Sequence, residues 1–173
     1  MRVFLILAAL AAGTAWARGD YQVISRGSWN GEIPSPQGPV VFTLVTPRGE
    51  YPLDEAALRR LTWVRLKTRY HPDERKDIEA VFEGVLLAQL LEEAGYPNPR
   101  RIRFEALDGY QISVEWSLIS RFEPMIALYR DGRPLDSFFG PARVVFPYHR
   151  LRPDPVAYNS YWVWKLKRIV VLP

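Results

Sequence analysis

Three residues that can donate hydrogen bonds, Tyr148, His149 and Arg150, follow a short and mostly apolar run, 143–146, that ends at Pro147. The β-branched residues of that run predict a strand, and the proline, which has no backbone N–H, ends its pairing. Loops that leave strand ends often carry binding residues. A phenol, an imidazole and a guanidinium suit a polar or anionic ligand. We therefore predict that Tyr148, His149 and Arg150 bind a ligand.

A second group of cations lies on a predicted strand, 62–70. Its side chains alternate, so that Arg65, Lys67 and Arg69 share one face, while Thr68 shares the other face with apolar residues. The planar fork of arginine fits phosphate and carboxylate groups. The pattern predicts an anion-binding face here, and a simple solvated strand face is the alternative. We include Thr68 with Arg65, Lys67 and Arg69 among the predicted ligand-binding residues.

Metal and nucleophile chemistry find little support in the sequence. The 173 residues contain no cysteine, which excludes thiolate nucleophiles, thiolate metal ligands and disulfides within them. His71 and His149 lie far apart, and together with Asp73 or Asp154 they match no known metal-ligand spacing. Nucleophile-elbow, phosphate-loop, dinucleotide-binding and zinc-protease motifs are not found. We therefore assign neither a metal ligand nor a catalytic residue.

The N-terminus has the pattern of a secretory signal peptide over 1–17. Arg2 precedes an apolar run, 3–12, which is too short to cross a bilayer, and a small-x-small cleavage site ends at Ala17. We expect cleavage after Ala17 and an exported, periplasmic protein with no membrane span after cleavage. An uncleaved membrane anchor is the alternative.

The rest of the sequence indicates one globular domain. Hydrophobic residues make up 48% and charged residues 24%, which is an ordinary globular composition. The net charge of +4 is too small to indicate nucleic-acid binding. We expect an extended N-terminal arm over 18–39 and the folded domain over 40–173.

Hydrophobic periodicity predicts many strands and few helices, which is an α+β fold. Asp54 is the expected N-cap of the first helix, Gly95 ends the second, and Gly84 permits the corner that leads into that second helix. Strands are predicted at 40–46, 62–70, 101–107, 110–116, 125–129, 143–146 and 161–172, and helices at 55–61, 86–94 and 117–122.

Aromatic residues are concentrated near the C-terminus. On the predicted strand 161–172, Trp162, Trp164 and Leu166 would share one face. Core packing is the expected role of Tyr158, Tyr161 and both tryptophans, and a ligand-stacking or partner-facing patch is the alternative.

Five segments occur in an order and spacing that resembles the molybdopterin-binding domain of the sulfite oxidase family, over roughly 40–171. The resemblance implies a mixed, barrel-like sheet fold with few short helices and a molybdopterin cofactor held among loops. The segments are FEGVLL at 82–87 with its leucine helix, DGY at 108–110, MIALY at 125–129 with DG at 131–132, GPxRVVxP at 140–147, and WxLxRIxV at 164–171.

The sequence departs from this family at the metal ligand. Family enzymes bind molybdenum through a cysteine on the loop after the strand that corresponds to 62–70, and this chain has Thr68 or its neighbours at the approximate place. A hydroxyl is a hard, weakly acidic group that cannot replace a thiolate. The resemblance is closer to small, stand-alone exported domains that also lack the cysteine and carry Pro-Tyr and Asn-Ser elements, here 147–148 and 159–160.

The resemblance and the missing thiolate together predict a non-catalytic module. We expect no cofactor, although the family implies molybdopterin, and we expect a small anionic or heterocyclic ligand or a periplasmic or membrane protein partner. Two alternatives stay open. One is a periplasmic molybdopterin-dependent oxidoreductase with a non-cysteine metal site, and the other is a purely structural interaction domain.

Overall fold

The computed structural model describes residues 20–70, 78–151 and 156–172. Strands dominate, with three short α-helices among the described residues. The α-helices are α1 (Glu55–Arg59), α2 (Leu87–Glu93) and α3 (Trp116–Phe122). The strands are β1 (Tyr21–Ser25), β2 (Val40–Thr46), β3 (Gly49–Asp54), β4 (Trp63–Tyr70), β5 (Ile78–Leu86), β6 (Arg101–Ala106), β7 (Gln111–Glu115), β8 (Met125–Arg130), β9 (Arg133–Pro134), β10 (Arg143–Val145) and β11 (Leu166–Leu172).

The strands form two sheets that share one hydrophobic core. Sheet A has the order β1-β4-β5-β8-β10, with β9 paired to β8, and all of its pairs are antiparallel. Sheet B has the order β3-β2-β11-β6-β7, in which β11 runs parallel to β2 and antiparallel to β6. The α+β prediction is confirmed, and the described strands make two open sheets rather than a closed barrel.

The second helix forms as the sequence predicts. Leu87, Leu90 and Leu91 lie on its buried face. Gly95 adopts a φ of 84°, and the N–H of Tyr96 then donates to the Leu91 carbonyl at 2.8 Å, which closes the helix end. Within the described residues, no helix has the length and apolar character needed to span a bilayer.

The segment predicted as an N-terminal arm packs tightly against the domain. Its β1 adds to the edge of sheet A by pairing with β4. Trp29 is almost fully buried, and its indole N–H donates to the Ala57 carbonyl in α1 at 2.8 Å. The arm therefore contributes to the core of the fold.

The predicted strand 161–172 is wrong over its first five residues. A 3₁₀ helix, Val156–Tyr161, comes first, and β11 begins only at Leu166. The N–H of Trp162 donates back to Asn159 at 3.1 Å, so its backbone makes a turn instead of a sheet ladder. Lys165 then has a φ of 49°, which interrupts any extended run. Trp162 and Trp164 therefore do not share a strand face with Leu166.

Asp54 ties the arm to α1 and confirms the predicted N-cap. One carboxylate oxygen accepts from the N–H of Ala57 at 2.8 Å. The other accepts from Gln37 and Gly38 at 2.6 and 2.8 Å. The hydrogen bond from Ala57 and those from the arm favour the charged form, so the pKa of the buried Asp54 lies below its ordinary value.

Replacing this carboxylate should weaken the fold in a pH-dependent way. We expect Asp54→Ala to lower the free energy of unfolding at pH 7 by about 2 kcal/mol, because the buried N–H of Ala57 and the partly buried N–H groups of Gln37 and Gly38 lose their acceptor. A lowered folded-state pKa gives stability that is present above the unfolded pKa and lost as the pH falls through the folded value. The wild type should therefore approach the variant below about pH 4.

Urea unfolding at several pH values measures this difference. Asp108→Ala is the matched control, since Asp108 is exposed and, among the described residues, accepts from the N–H of Tyr110 alone, at 3.1 Å. A pH-independent difference between Asp54→Ala and the wild type would contradict the proposed role of the charge.

Candidate functional site

Thr68 joins β4 to the residues that follow β10. The chain folds back after Pro147 so that a 3₁₀ helix, Tyr148–Leu151, lies against β4. The hydroxyl of the buried Thr68 accepts from the backbone N–H of Tyr148 at 2.9 Å and donates to the Phe146 carbonyl at 3.3 Å. Two residues predicted as one site from distant parts of the sequence are therefore in direct contact, and both functions of the hydroxyl are engaged.

Arg150 lies between two carboxylates. Its Nε and Nη2 each contact Oδ2 of Asp20 at 2.5 Å, and its Nη1 donates to Glu123. The three side chains are only 21%, 20% and 19% exposed. Burial lowers the pKa of Arg150, but the hydrogen bonds and charges of Glu123 and Asp20 outweigh it and raise that pKa above its ordinary value.

His149 and Tyr21 complete this network, which we call the arm clamp (Asp20, Tyr21, Glu123, His149 and Arg150). Nε2 of His149 lies 2.9 Å from Oδ1 of Asp20. The Tyr21 hydroxyl donates to the Glu123 carbonyl at 2.5 Å, and burial raises the pKa of Tyr21 well above its ordinary value. The clamp fastens the start of β1 to the end of α3, so His149 and Arg150 have structural partners; ligand binding by them stays a prediction.

The cations of β4 lie on the opposite face of the strand from Thr68. Arg65 pairs with Glu83 at 2.7 Å, and Lys67 pairs with Glu79 at 2.8 Å, both across to β5. Arg69 is exposed and has no ion-pair partner among the described residues. The seven predicted ligand residues therefore divide between two surfaces. This arrangement favours cross-strand ion pairs on a solvated face over a single anion site.

Arg143 is a buried cation that the sequence analysis did not single out as a site residue. Its side chain is fully buried, and its guanidinium lies 5.0 to 5.8 Å from the rings of Phe82, Phe139, Trp162 and Trp164. Such cation–π contacts are worth about 2 kcal/mol when desolvated. The feature of the sequence that could have indicated this burial is an arginine at the first position of an otherwise apolar strand. The expected core role agrees with this packing for the buried Trp162, whereas Trp164 is only partly buried beside it.

A cleft of about 370 Å³ lies beside the arm clamp. Ser120, Arg121, Phe122, Glu123 and Arg150 line it. Arg121 is exposed and contacts the ring of Phe122, and it has no carboxylate partner among the described residues. The volume is that of a small-molecule site, and Arg121 is the cation there that is available to an added anion.

The donor set does not fit the molybdenum that the family resemblance implies. Family enzymes use a thiolate, whereas this sequence has no cysteine, and Thr68 uses its hydroxyl within the protein. Over residues 20–70, 78–151 and 156–172, no group of three histidine, aspartate or glutamate side chains could hold a metal. The other candidate ligands named above, His71, Asp73 and Asp154, lie outside the described residues.

Comparison with known protein families finds a match over most of the chain. The family model described as "Oxidoreductase molybdopterin binding domain" matches residues 60–171. The match starts directly after α1 and ends within β11, so it includes Thr68, Arg143 and the whole 3₁₀ helix at Tyr148–Leu151. No curated protein matches the chain. The resemblance found in the sequence is thereby confirmed.

Proposed function

Because the chain belongs to the oxidoreductase molybdopterin-binding domain family, we propose that it is an exported, non-catalytic member that binds a ligand or a partner. The observation that supports this proposal is the state of Thr68. The family resemblance implies that Thr68 or its neighbours correspond to the metal-binding cysteine, and the hydroxyl of Thr68 is already engaged in hydrogen bonds with Phe146 and Tyr148. To bind a metal as the family's thiolate does, the hydroxyl would have to lose its proton, and with it the hydrogen bond that it donates to the Phe146 carbonyl.

The chemistry of the two ligand types explains why this contact matters. A thiolate is soft and is ionised at moderate pH, whereas an alcohol is hard and stays protonated. If the buried hydroxyl moved away from its partners, the Phe146 carbonyl and the Tyr148 N–H would each lose a hydrogen bond. Each such unpaired buried group costs about 1 to 3 kcal/mol of stability. The residues present therefore favour a binding role over a redox role.

The metal content of the protein tests this proposal. The protein is produced in cells that make molybdopterin, purified from the exported fraction, and measured for molybdenum by mass spectrometry and for pterin by fluorescence after oxidation. We expect molybdenum far below one atom per chain, and a mature N-terminus at Arg18. Stoichiometric molybdenum with pterin would overturn the proposal and favour an oxidoreductase with a non-cysteine metal site.

We place the ligand in the cleft beside the arm clamp. Arg121 supplies a free cation there, and the side of the Arg150 guanidinium forms part of the wall. A small anion or an anionic heterocycle matches these groups. Glu123 is paired with Arg150, which it shares with Asp20, so its charge opposes an anion less than a free carboxylate would.

A thermal titration with phosphate and with a free pterin measures this binding. A ligand that binds the folded state raises the midpoint by an amount that grows with its concentration. We expect Arg121→Ala to abolish the rise. Arg65→Ala, which removes an exposed and already paired arginine of β4, should leave it intact. Equal responses in the two variants would remove Arg121 from the site.

A further inference from the structure

The most exposed apolar side chains of the described residues are concentrated in one place. Six large hydrophobic residues are exposed, and three of them, Leu107, Tyr110 and Phe138, belong to two neighbouring turns. Leu107 is 57% and Phe138 is 56% exposed, the two highest values of the six. Exposed apolar residues that occur singly need no explanation, but a cluster of them indicates an interaction surface.

Lys165 links the two turns. Its carbonyl accepts from the N–H of Leu107 at 2.8 Å, and its own N–H donates to the Phe139 carbonyl at 3.0 Å. Its ammonium lies 5.7 Å from the centre of the Phe138 ring, and the Phe138 ring lies 5.5 Å from that of Trp164. We call Leu107, Tyr110, Phe138, Trp164 and Lys165 the tip patch.

The backbone of Lys165 is strained where it joins the turns. Its φ of 49° is left-handed, a conformation that non-glycine residues rarely adopt and that is often found at functional sites. The two backbone hydrogen bonds to Leu107 and Phe139 hold it there. This strain gives a second observation, independent of exposure, that marks the position of the lysine.

Two lysines give the tip patch its attraction for an anionic surface. Lys165 and the neighbouring Lys167 have no carboxylate partner in the part of the chain that the structure describes, so their ammonium groups are available to an external anion. The two exposed acids of the turns keep their charge, but the backbone N–H groups from which they accept offset part of it: Asp108 accepts from Tyr110, and Asp136 accepts from Phe138 and Phe139. The predicted cleavage removes Arg2 and so lowers the net charge from +4 to +3, which still adds attraction at longer range.

We propose that the tip patch docks the protein onto an anionic lipid bilayer. Leu107 and Phe138 would enter the interface, Trp164 and Tyr110 would lie at the level of the headgroups, and Lys165 would face the lipid phosphates. Tryptophan and tyrosine prefer this interface, and lysine can bury its stem while its ammonium stays with the headgroups. Apolar insertion and attraction to anionic lipid add together in this type of binding.

The form of the surface favours a bilayer over a bound peptide. The apolar side chains protrude from turns, whereas peptide-binding sites present a groove or an open sheet edge to their partner. The proposal goes beyond the proposed function and does not depend on a ligand in the cleft beside the arm clamp. A negative result for bilayer binding therefore does not contradict the proposed function, and the reverse also holds.

Co-sedimentation with vesicles tests the proposal. The chain is mixed with vesicles of phosphatidylcholine alone and with vesicles in which about a third of the lipid is phosphatidylglycerol. We expect binding to the anionic vesicles, and about a tenfold lower partition constant for a variant with both Leu107→Ser and Phe138→Ser. Lys165→Gln should weaken binding to anionic vesicles a few-fold and leave the weak binding to neutral vesicles unchanged.

Ile24→Ser with Ile78→Ser is the matched control, because it removes two exposed isoleucines that lie outside the tip patch. All variants have the same N-terminus, so any binding by the apolar run 3–12 is common to them. Absence of binding by the wild type, or equal loss in the control, would overturn the proposal. The proposal would also be overturned if the wild type formed a dimer, did not bind vesicles, and became a monomer in the variant with Leu107→Ser and Phe138→Ser. The patch would then join two copies of the chain.

Discussion

Gly84→Ala should lower the free energy of unfolding by about 3 kcal/mol or more, the largest effect that we expect from a single methyl group in this protein. Gly84 lies in the middle of β5, where the register against β8 shifts. A Cβ atom at this position would lie 2.0 Å from the carbonyl oxygen of Ile126 and 2.9 Å from Cα of Ala127. These are backbone atoms of the neighbouring strand, so only a displacement of β8 could relieve the overlap.

Gly38→Ala is the control for this experiment. Its added Cβ would meet only Oδ2 of Asp54, at an ordinary 3.7 Å, so we expect a change within about 0.5 kcal/mol. Guanidinium unfolding followed by circular dichroism measures both variants. If Gly84→Ala unfolds at the same denaturant concentration as the wild type, β5 and β8 do not approach each other this closely.

Arg150→Met should be the second most damaging substitution, with an expected loss of about 2 to 3 kcal/mol. It keeps most of the volume of the side chain but leaves the carboxylates of Asp20 and Glu123 without their shared cation. Both acids are about four-fifths buried, so solvent can replace the lost contacts only in part. The same change should release β1, because Asp20 leads directly into that strand.

Two further measurements separate this effect from a general loss of charge. Arg65→Met breaks an ion pair in which the arginine is 43% exposed, and we expect it to cost less than about 1 kcal/mol. Adding Asp20→Asn and Glu123→Gln to Arg150→Met should recover part of the stability, since no buried charge is then left alone. Hydrogen exchange in β1 reports whether the arm detaches, and unchanged exchange in Arg150→Met would contradict the clamp.

Elements with a clear local pattern could be predicted from the sequence. The alternation in β4 and in β6, the leucine face of α2 and the cap at Asp54 all come from residues within one element, and all four predictions are confirmed. The predicted role of Gly84, a corner between strand and helix, is wrong. This glycine does not form the corner into α2, which begins at Leu87, but accommodates the backbone of β8.

Elements that depend on distant partners could not be predicted. In β1 only Tyr21 is buried, and the strand exists because β4, some forty residues later, offers its edge. The alternating aromatics at 161–165 resemble a strand, but their backbone pairs mainly with turns, and its one bond to a strand within the described residues is the Val163 carbonyl accepting from Val144 of β10. Tertiary hydrogen bonding outweighs local propensity in both places.

The candidate site shows the same division. Thr68 and Tyr148 could be placed together through the family resemblance, and the structure brings them into contact. The carboxylates that engage Arg150 could not be foreseen, because Asp20 and Glu123 lie 130 and 27 residues away along the chain. The tip patch could not be predicted from the sequence for a related reason. The segments of Leu107, Phe138 and Lys165 are far apart along the chain and meet only in the folded protein.

The position of β11 decides when this protein can finish folding. Ile169 pairs with Leu44 of β2 on one side and with Phe104 of β6 on the other, so the middle of sheet B is filled by the last of the described strands to leave the ribosome. Until then, the β2–β3 and β6–β7 hairpins have no common neighbour and expose the edges that β11 will cover. Closing such long loops is slow, and a nascent chain of this topology waits for its C-terminal strand before it becomes compact.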